Sequence, residues 1–319
     1  LEVVKLLLGK GADVNVKSND GTTVLMVAAL TDKVDVVKLL LEKGADANVK
    51  RTTDGVTVLL IAAWKGHADV VKLLIEKDAD INVKRTTDGA TALYMASQEG
   101  HTEVVKLLLK TSADVNVKET TNGATALCIA SQKGHTEVVK LLMKKGADIN
   151  VRANNGQAAL YAAAQEGHTE IIKLLLDKGA DVNAKATDGT TALWITAQNG
   201  HKEIVRILLG KNADVNVKRI DDSATVLLMA AMNGHVEIVK LLLEKGADVN
   251  VKKTDNGVTP LFIASAKGHA EVVNLLLAAK ADVNVKVRKA GKDYTPLSIA
   301  KEKGYKQIIA LLEKAGAKE

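Results

Sequence analysis

The chain has 319 residues, a formal charge of +6 at pH 7 and one cysteine, Cys128. A single thiol excludes an internal disulfide and suits a cytoplasmic or otherwise reducing compartment. A charge this small for the length does not indicate nucleic acid, and no run of about 18 apolar residues exists that could span a membrane. Hydrophobic residues make up 47% and aromatics only 2%, so the core must be Leu, Val, Ile and Ala.

In chain order the first element is LEVVKLLL over residues 1–8, which has the pattern of a repeat's second helix with no first helix before it. Residues 1–18 are therefore expected to be an orphan second helix of a truncated repeat. The chain is then expected to be a fragment of a longer protein, or an array whose upstream part is missing. The tetrapeptide Ala-Asp-Val-Asn, or a close variant, then recurs nine times at a spacing of 33 or 34 residues. Its markers are Asn15, Asn48, Asn82, Asn116, Asn150, Asn183, Asn216, Asn250 and Asn284. A period in this range means one supersecondary unit stacked on copies of itself, each copy touching only its neighbours.

One copy shows what the unit is. Asp88-Gly89 signals a turn, because glycine takes positive φ without steric cost. Leu93, Met95 and Ala96 then fit one face of a short helix, Glu99-Gly100-His101 interrupts it, and Glu103 to Leu109 forms a second amphipathic helix. Extra residues, Val287-Arg288-Lys289-Ala290-Gly291-Lys292, fall in one turn only. In the last copy Glu313 replaces an otherwise apolar residue and Lys301 replaces Ala or Ser, the polar outer face that a terminal repeat requires. The expected organisation is a single array over residues 1–319: the orphan helix 1–18, eight repeats in 19–292 and a C-terminal cap in 293–319.

The starts, such as Thr91-Ala92-Leu93 and Thr259-Pro260-Leu261, the Gly-His corners and the Gly-Ala-Asp-Val-Asn closes resemble the ankyrin repeat. The resemblance covers essentially the whole chain. It implies an all-α ankyrin-repeat solenoid of helix-turn-helix units with β-turn fingers. It further implies a monomeric, non-catalytic scaffold, not bound to a membrane, that takes a protein or peptide partner in a concave groove between fingers and first helices. Positions are counted here so that the Thr opening the first helix is 6 and the marker Asn is 31. Only two of nine starts keep Pro, which leaves helix entry less fixed.

No catalytic, cofactor or metal site is expected. His67, His101, His135, His168, His201, His235 and His269 each follow Gly at the same corner, so they read as capping or corner residues. Set one repeat apart, they do not converge on a metal ion, whose ligands lie within about 2 Å of it. There is no Gly-rich phosphate loop and no nucleophile elbow. Gly11, Gly44, Gly146, Gly179 and Gly246 are expected to end second helices in a left-handed conformation, with Asp78, Ser112, Asn212 and Lys280 in the same place elsewhere.

The few aromatics are the strongest functional signal. Tyr94, Tyr161, Trp194 and Phe262 occupy position 9, Trp64 position 13 and Tyr294 position 5. These positions share one helix face, and the resemblance puts 5 and 13 in the groove. Two readings stand: the rings pack under the neighbouring finger, or they are anchors for a partner. Gln98, Gln132, Gln165 and Gln198 at position 13 would add adaptable hydrogen-bonding groups. A different reading comes from the fingers, where every copy has Lys or Arg at position 33. Lys50-Arg51, Lys84-Arg85, Lys218-Arg219 and Lys252-Lys253 double it. That ladder is either a solvated edge or a site for an anionic ligand such as a nucleic acid or oligonucleotide.

Overall fold

The structure is a computed structural model that describes residues 1–289 and 292–318. Ala290 and Gly291 of the inserted finger, and Glu319, lie outside the described residues. The regular structure of the described chain is helical apart from one short antiparallel hairpin, β1 (Val287–Lys289) and β2 (Lys292–Tyr294), with turns and fingers between the helices. It divides into two compact units, Leu1–Ala159 and Leu160–Glu319.

In the N-terminal unit a lone helix, Glu2–Gly9, precedes four helix pairs. Their first helices are Val24–Leu30, Val58–Lys65, Ala92–Glu99 and Ala126–Lys133, and their second helices Val34–Glu42, Ala68–Glu76, Thr102–Leu109 and Thr136–Lys144. The C-terminal unit repeats the plan from within Ala159–Glu166 and ends on Pro296–Lys303 and Lys306–Lys314. Leu74, Leu108 and Leu142 recur at one register of the second helices and are fully buried. Burial of each such side chain contributes about 1.5–3 kcal/mol.

Helix entry is well defined without proline. The Thr hydroxyl at position 6 accepts the backbone N–H of position 9 in the start of each helix that has it, for example Thr91 from Tyr94 at 3.2 Å and Thr225 from Leu228 at 3.2 Å. This side-chain cap satisfies one of the N–H groups that a helix start leaves without an internal partner. The corner Gly after the first helix is left-handed, with φ of 78° at Gly66 and 76° at Gly100.

The recurrent tetrapeptide has a direct physical role. Its Asp side chain accepts the N–H of its own Asn, as in Asp80 with Asn82 at 3.0 Å, which folds the local turn. The Asn amide then clamps the next repeat. Asn82 accepts the N–H of Asp114 at 2.9 Å and donates to the Ser112 carbonyl at 3.0 Å. The same two bonds recur in the C-terminal unit, where Asn216 accepts from Asp248 at 2.9 Å and donates to Gly246 at 3.4 Å.

The ends of the second helices differ from expectation at one place. Asp78, Asn212 and Lys280 are left-handed like the glycines they replace, but Ser112 is not. The helix before it stops at Leu109, and among the described residues Ala113 N–H has no counterpart of the bond that Ala147 N–H makes to the Leu142 carbonyl at 3.0 Å. In the terminal repeat the two substituted residues meet each other, Lys301 Nζ lying 3.4 Å from Glu313 Oε1. At the other end Glu2–Gly9 buries no residue and exposes Val3, Leu6 and Leu7.

Two stability outcomes are expected. Asn82→Ala removes both clamp bonds at solvent-accessible groups and should cost about 1 kcal/mol, read as a lower urea midpoint; an unchanged midpoint would show that the clamp adds nothing. The hydroxyls of Ser97, Ser131 and Ser265 are buried without a partner, where Ala29, Ala63, Ala164, Ala197 and Ala231 stand in the other repeats. Ser97→Ala should therefore raise stability by about 1 kcal/mol in the same assay.

Candidate functional site

The histidines act between repeats rather than on their own helices. Each begins a second helix without capping it by its side chain. In His101, His135, His201, His235 and His269 the ring instead reaches the backbone carbonyl at position 13 of the preceding repeat, while His67 Nδ1 lies 3.6 Å from Asp32 Oδ1. His101 Nε2 lies 2.9 Å from Trp64 O, His135 3.0 Å from Gln98 O, His201 3.1 Å from Gln165 O and His235 3.1 Å from Gln198 O. A carbonyl only accepts, so Nε2 carries the proton and donates. The preceding corner must be Gly for a second reason, since a Cβ at Gly66 would lie 2.5 Å from the His101 ring.

This arrangement fixes the backbone where position 13 leaves the first helix. Trp64 projects from it with 42% of its surface exposed, and Lys65 Nζ sits 3.9 Å from its ring centroid. Gln98, Gln132, Gln165 and Gln198 are half-buried at the same position. Two of them turn to a neighbouring carboxylate, Gln98 to Glu99 and Gln165 to Glu166, each at 2.9 Å.

Position 9 goes the other way. Tyr161, Trp194 and Phe262 are 7%, 4% and 6% exposed. Trp194 Nε1–H donates to the Ala224 carbonyl of the following finger at 3.3 Å, and the Arg219 guanidinium lies 5.6 Å from its ring centroid. Tyr161 Oη meets Thr190 Oγ1 at 3.2 Å. Because the Thr190 hydroxyl proton is already given to Asp188 at 2.6 Å, the tyrosine is the donor. Phe262 packs with Val285, Val287 and Ile299, and Tyr294 leans half-buried on that cluster. Of the two readings, packing under the neighbouring finger describes these three rings, which have almost no surface to offer a partner. Cys128 and Met26 at the same position are also buried. Tyr94 is half-buried, and burial together with the charges of Glu119 and Asp88 pushes its phenol up to about 12.

The finger ladder is mostly neutralised from within. Arg51 grips Asp54 with Nε and a terminal nitrogen, Arg85 grips Asp88 in the same way, and Arg219 holds Asp222 at 3.0 and 2.5 Å. Lys253 lies 2.8 Å from Asp222 and 3.4 Å from Asp255. Asp54, Asp88 and Asp222 also order their own turns, as Asp54 does by accepting Val56 N–H at 3.1 Å. On the alternative reading these second cations form a site for an anionic ligand; Arg51, Arg85 and Arg219 are each gripped instead by a carboxylate three residues on, and Lys253 lies between two carboxylates. Lys50, Lys84, Lys218 and Lys252 remain exposed.

Sequence reasoning missed Glu119, which stands where Arg51 and Arg85 stand in the preceding fingers; that break in the series was the available signal. It is 5% exposed and accepts N–H groups from Thr121 at 2.7 Å, Asn122 at 2.6 Å and Ala124 at 3.3 Å. Burial works to raise its pKa, but the backbone donors outweigh it and hold the carboxyl below its usual range. Among the described residues no group of three His, Cys, Asp or Glu side chains is placed to hold a metal ion. No helix among the described residues is long and apolar enough to cross a membrane.

A family model described as ankyrin repeats in three copies matches residues 1–85, 81–153, 148–219 and 218–287. The chain belongs to the ankyrin-repeat family. Among curated proteins no relative matches it. Its fold is the all-α ankyrin-repeat solenoid, and ankyrin repeats are generally protein–protein interaction modules, typically without catalytic activity.

The Arg–Asp fingers give a pH outcome. Arg51 beside Asp54 and Arg85 beside Asp88 hold both carboxyls below their usual range, and hydrogen bonds from Ser18 and Thr22 hold Asp20 at about 2. A carboxyl depressed in the native state stabilises it fully above the unfolded value of about 4, and that contribution is lost as pH falls through the native value. Melting temperature should therefore drop between about pH 4 and pH 2, and Asp88→Asn should drop less steeply; parallel curves would remove the finger pairs as the cause.

Proposed function

We propose that the chain is a binding scaffold that uses the position-13 row of its first helices, centred in the N-terminal unit on Trp64, to hold a protein or peptide partner. One observation carries this reading: Trp64 is exposed while the backbone that presents it is fixed by His101. A preorganised aromatic loses little freedom on binding, and exposed Trp is the residue type most often found as an interface hot spot. Gln98 and Gln132 supply polar contacts along the same register of that unit, and Tyr94 adds a half-buried wall. The finger ladder is not favoured as the site of an anionic ligand, because four of its eight doubled cations are paired within the fingers.

Selection of a displayed peptide library on the intact chain, followed by titration of the selected peptide, tests this. Trp64→Ala should weaken binding by about 2 kcal/mol. Ile220→Ala, at an exposed apolar side chain away from the row, should leave it unchanged. Equal affinity of the Trp64→Ala variant and the parent would end the reading.

A further inference from the structure

The charge of the chain is unevenly placed. Residues 251–319 hold 13 of the 44 Lys and Arg and 7 of the 38 Asp and Glu, and residues 1–250 hold 31 of each. The whole formal +6 therefore arises in the last 69 residues, and the inserted finger is its densest part, with Lys286, Arg288, Lys289 and Lys292 within seven positions.

The hairpin β1–β2 gives these cations a firm base. Val287 is 2% exposed and packs with Phe262, Val285 and Ile299, while its register partner Tyr294 leans on the same cluster. Lys286, Arg288 and Lys292 are exposed, and none forms an ion pair among the described residues, unlike Arg219 and Lys253 in the finger before.

The hairpin also lacks the bond that ties most fingers to the next. Ile220 N–H reaches the Asp188 carbonyl at 2.8 Å and Thr254 N–H reaches the Asp222 carbonyl at 3.0 Å. Arg288 occupies the equivalent position, yet the Asn256 carbonyl accepts no backbone bond among the described residues. A Cβ at Gly257 would find only the Lys286 carbonyl, at 3.7 Å, whereas one at Gly189 would meet Ile220 at 2.8 Å. Among the described residues the hairpin stands off from the preceding finger and leaves the Asn256 carbonyl without a backbone donor, beside Lys286, Arg288 and Lys292, which form no ion pair there.

We propose that this finger is a second interaction surface, separate from the Trp64 row, that takes an acidic segment of a protein chain. Side-chain carboxylates meet Lys286, Arg288 and Lys292, and a backbone N–H of the segment meets the Asn256 carbonyl. A nucleic acid fits less well. Its phosphates only accept and cannot satisfy that carbonyl. The exposed carboxylates of Asp255, Asp282 and Asp293 interrupt a continuous phosphate track. The one nearby ring, Tyr294, is half-buried with Lys292 Nζ 5.1 Å from its centroid, so no free face stands ready for a base to stack on.

Fluorescence anisotropy with the full chain and a labelled Asp/Glu-rich peptide tests the assignment, with a neutral peptide and a single-stranded oligonucleotide of equal charge as comparisons. The acidic peptide should bind, and Arg288→Glu with Lys292→Glu should weaken it about tenfold. Lys50→Glu with Lys84→Glu, at unpaired cations of the N-terminal unit, should change it less than about twofold. Lys286→Gln, the milder change, should weaken binding in the same direction. No binding, binding equally weakened by both double variants, or tighter binding of the oligonucleotide than of the peptide would each overturn the proposal. Circular dichroism of the hairpin variants should match the parent, since the altered side chains are exposed.

Discussion

Each repeat ends in backbone groups that its own helices cannot satisfy, and the position-31 Asn of the preceding repeat supplies them. Its amide has an acceptor and a donor a fixed distance apart. One takes the N–H of the next repeat's Asp and the other gives to the carbonyl just past that repeat's second helix, as at Asn48 with Asp80 and Asp78. No isosteric side chain offers both roles: Asp lacks the donor and Leu lacks both. The clamp sets the spacing at which the first helices pack, and the finger and corner contacts depend on that spacing.

Two further ties operate at the same pitch. In most fingers the turn carbonyl accepts an N–H from the next finger, and at the corners a His ring donates to the position-13 carbonyl one repeat back. Together they leave little freedom between neighbouring repeats within a unit. They also explain where variation is tolerated. Position 13 can carry Trp, Gln or Met because only its carbonyl is used by the framework, whereas position 9 must fit beneath a finger that the ladder holds in place. Tyr161 and Trp194 meet that demand by bonding the finger with their polar ends. The hairpin finger differs, since among the described residues it has no such tie to the finger before.

The fold was legible in the sequence because it is a local pattern repeated. Thr at a helix start, Gly-His at a corner and Asp-Val-Asn after a second helix each act within a few residues or on the adjoining repeat, so period and spacing carry the information. Ser112 was misread as a left-handed terminus because the pattern was followed where the helix stops early. The histidines were placed correctly at the corners, but their partners, 36 or 37 residues back, were invisible to a reading of local helix caps. Glu119 was passed over because its partners are backbone N–H groups, which every residue has.

What the sequence determined by itself was the unit, its register and the position of each chemically distinctive side chain within it. What only the tertiary structure decided was which of those side chains face solvent. Positions 9 and 13 lie one helical turn apart on the same face, so periodicity cannot separate them. The following finger, carried by the next repeat, covers one and leaves the other open, and it buries Trp194 while exposing Trp64. The cations divided in the same way, since a carboxylate three residues along either turns back to grip an arginine or does not, and that depends on the shape of the turn between them.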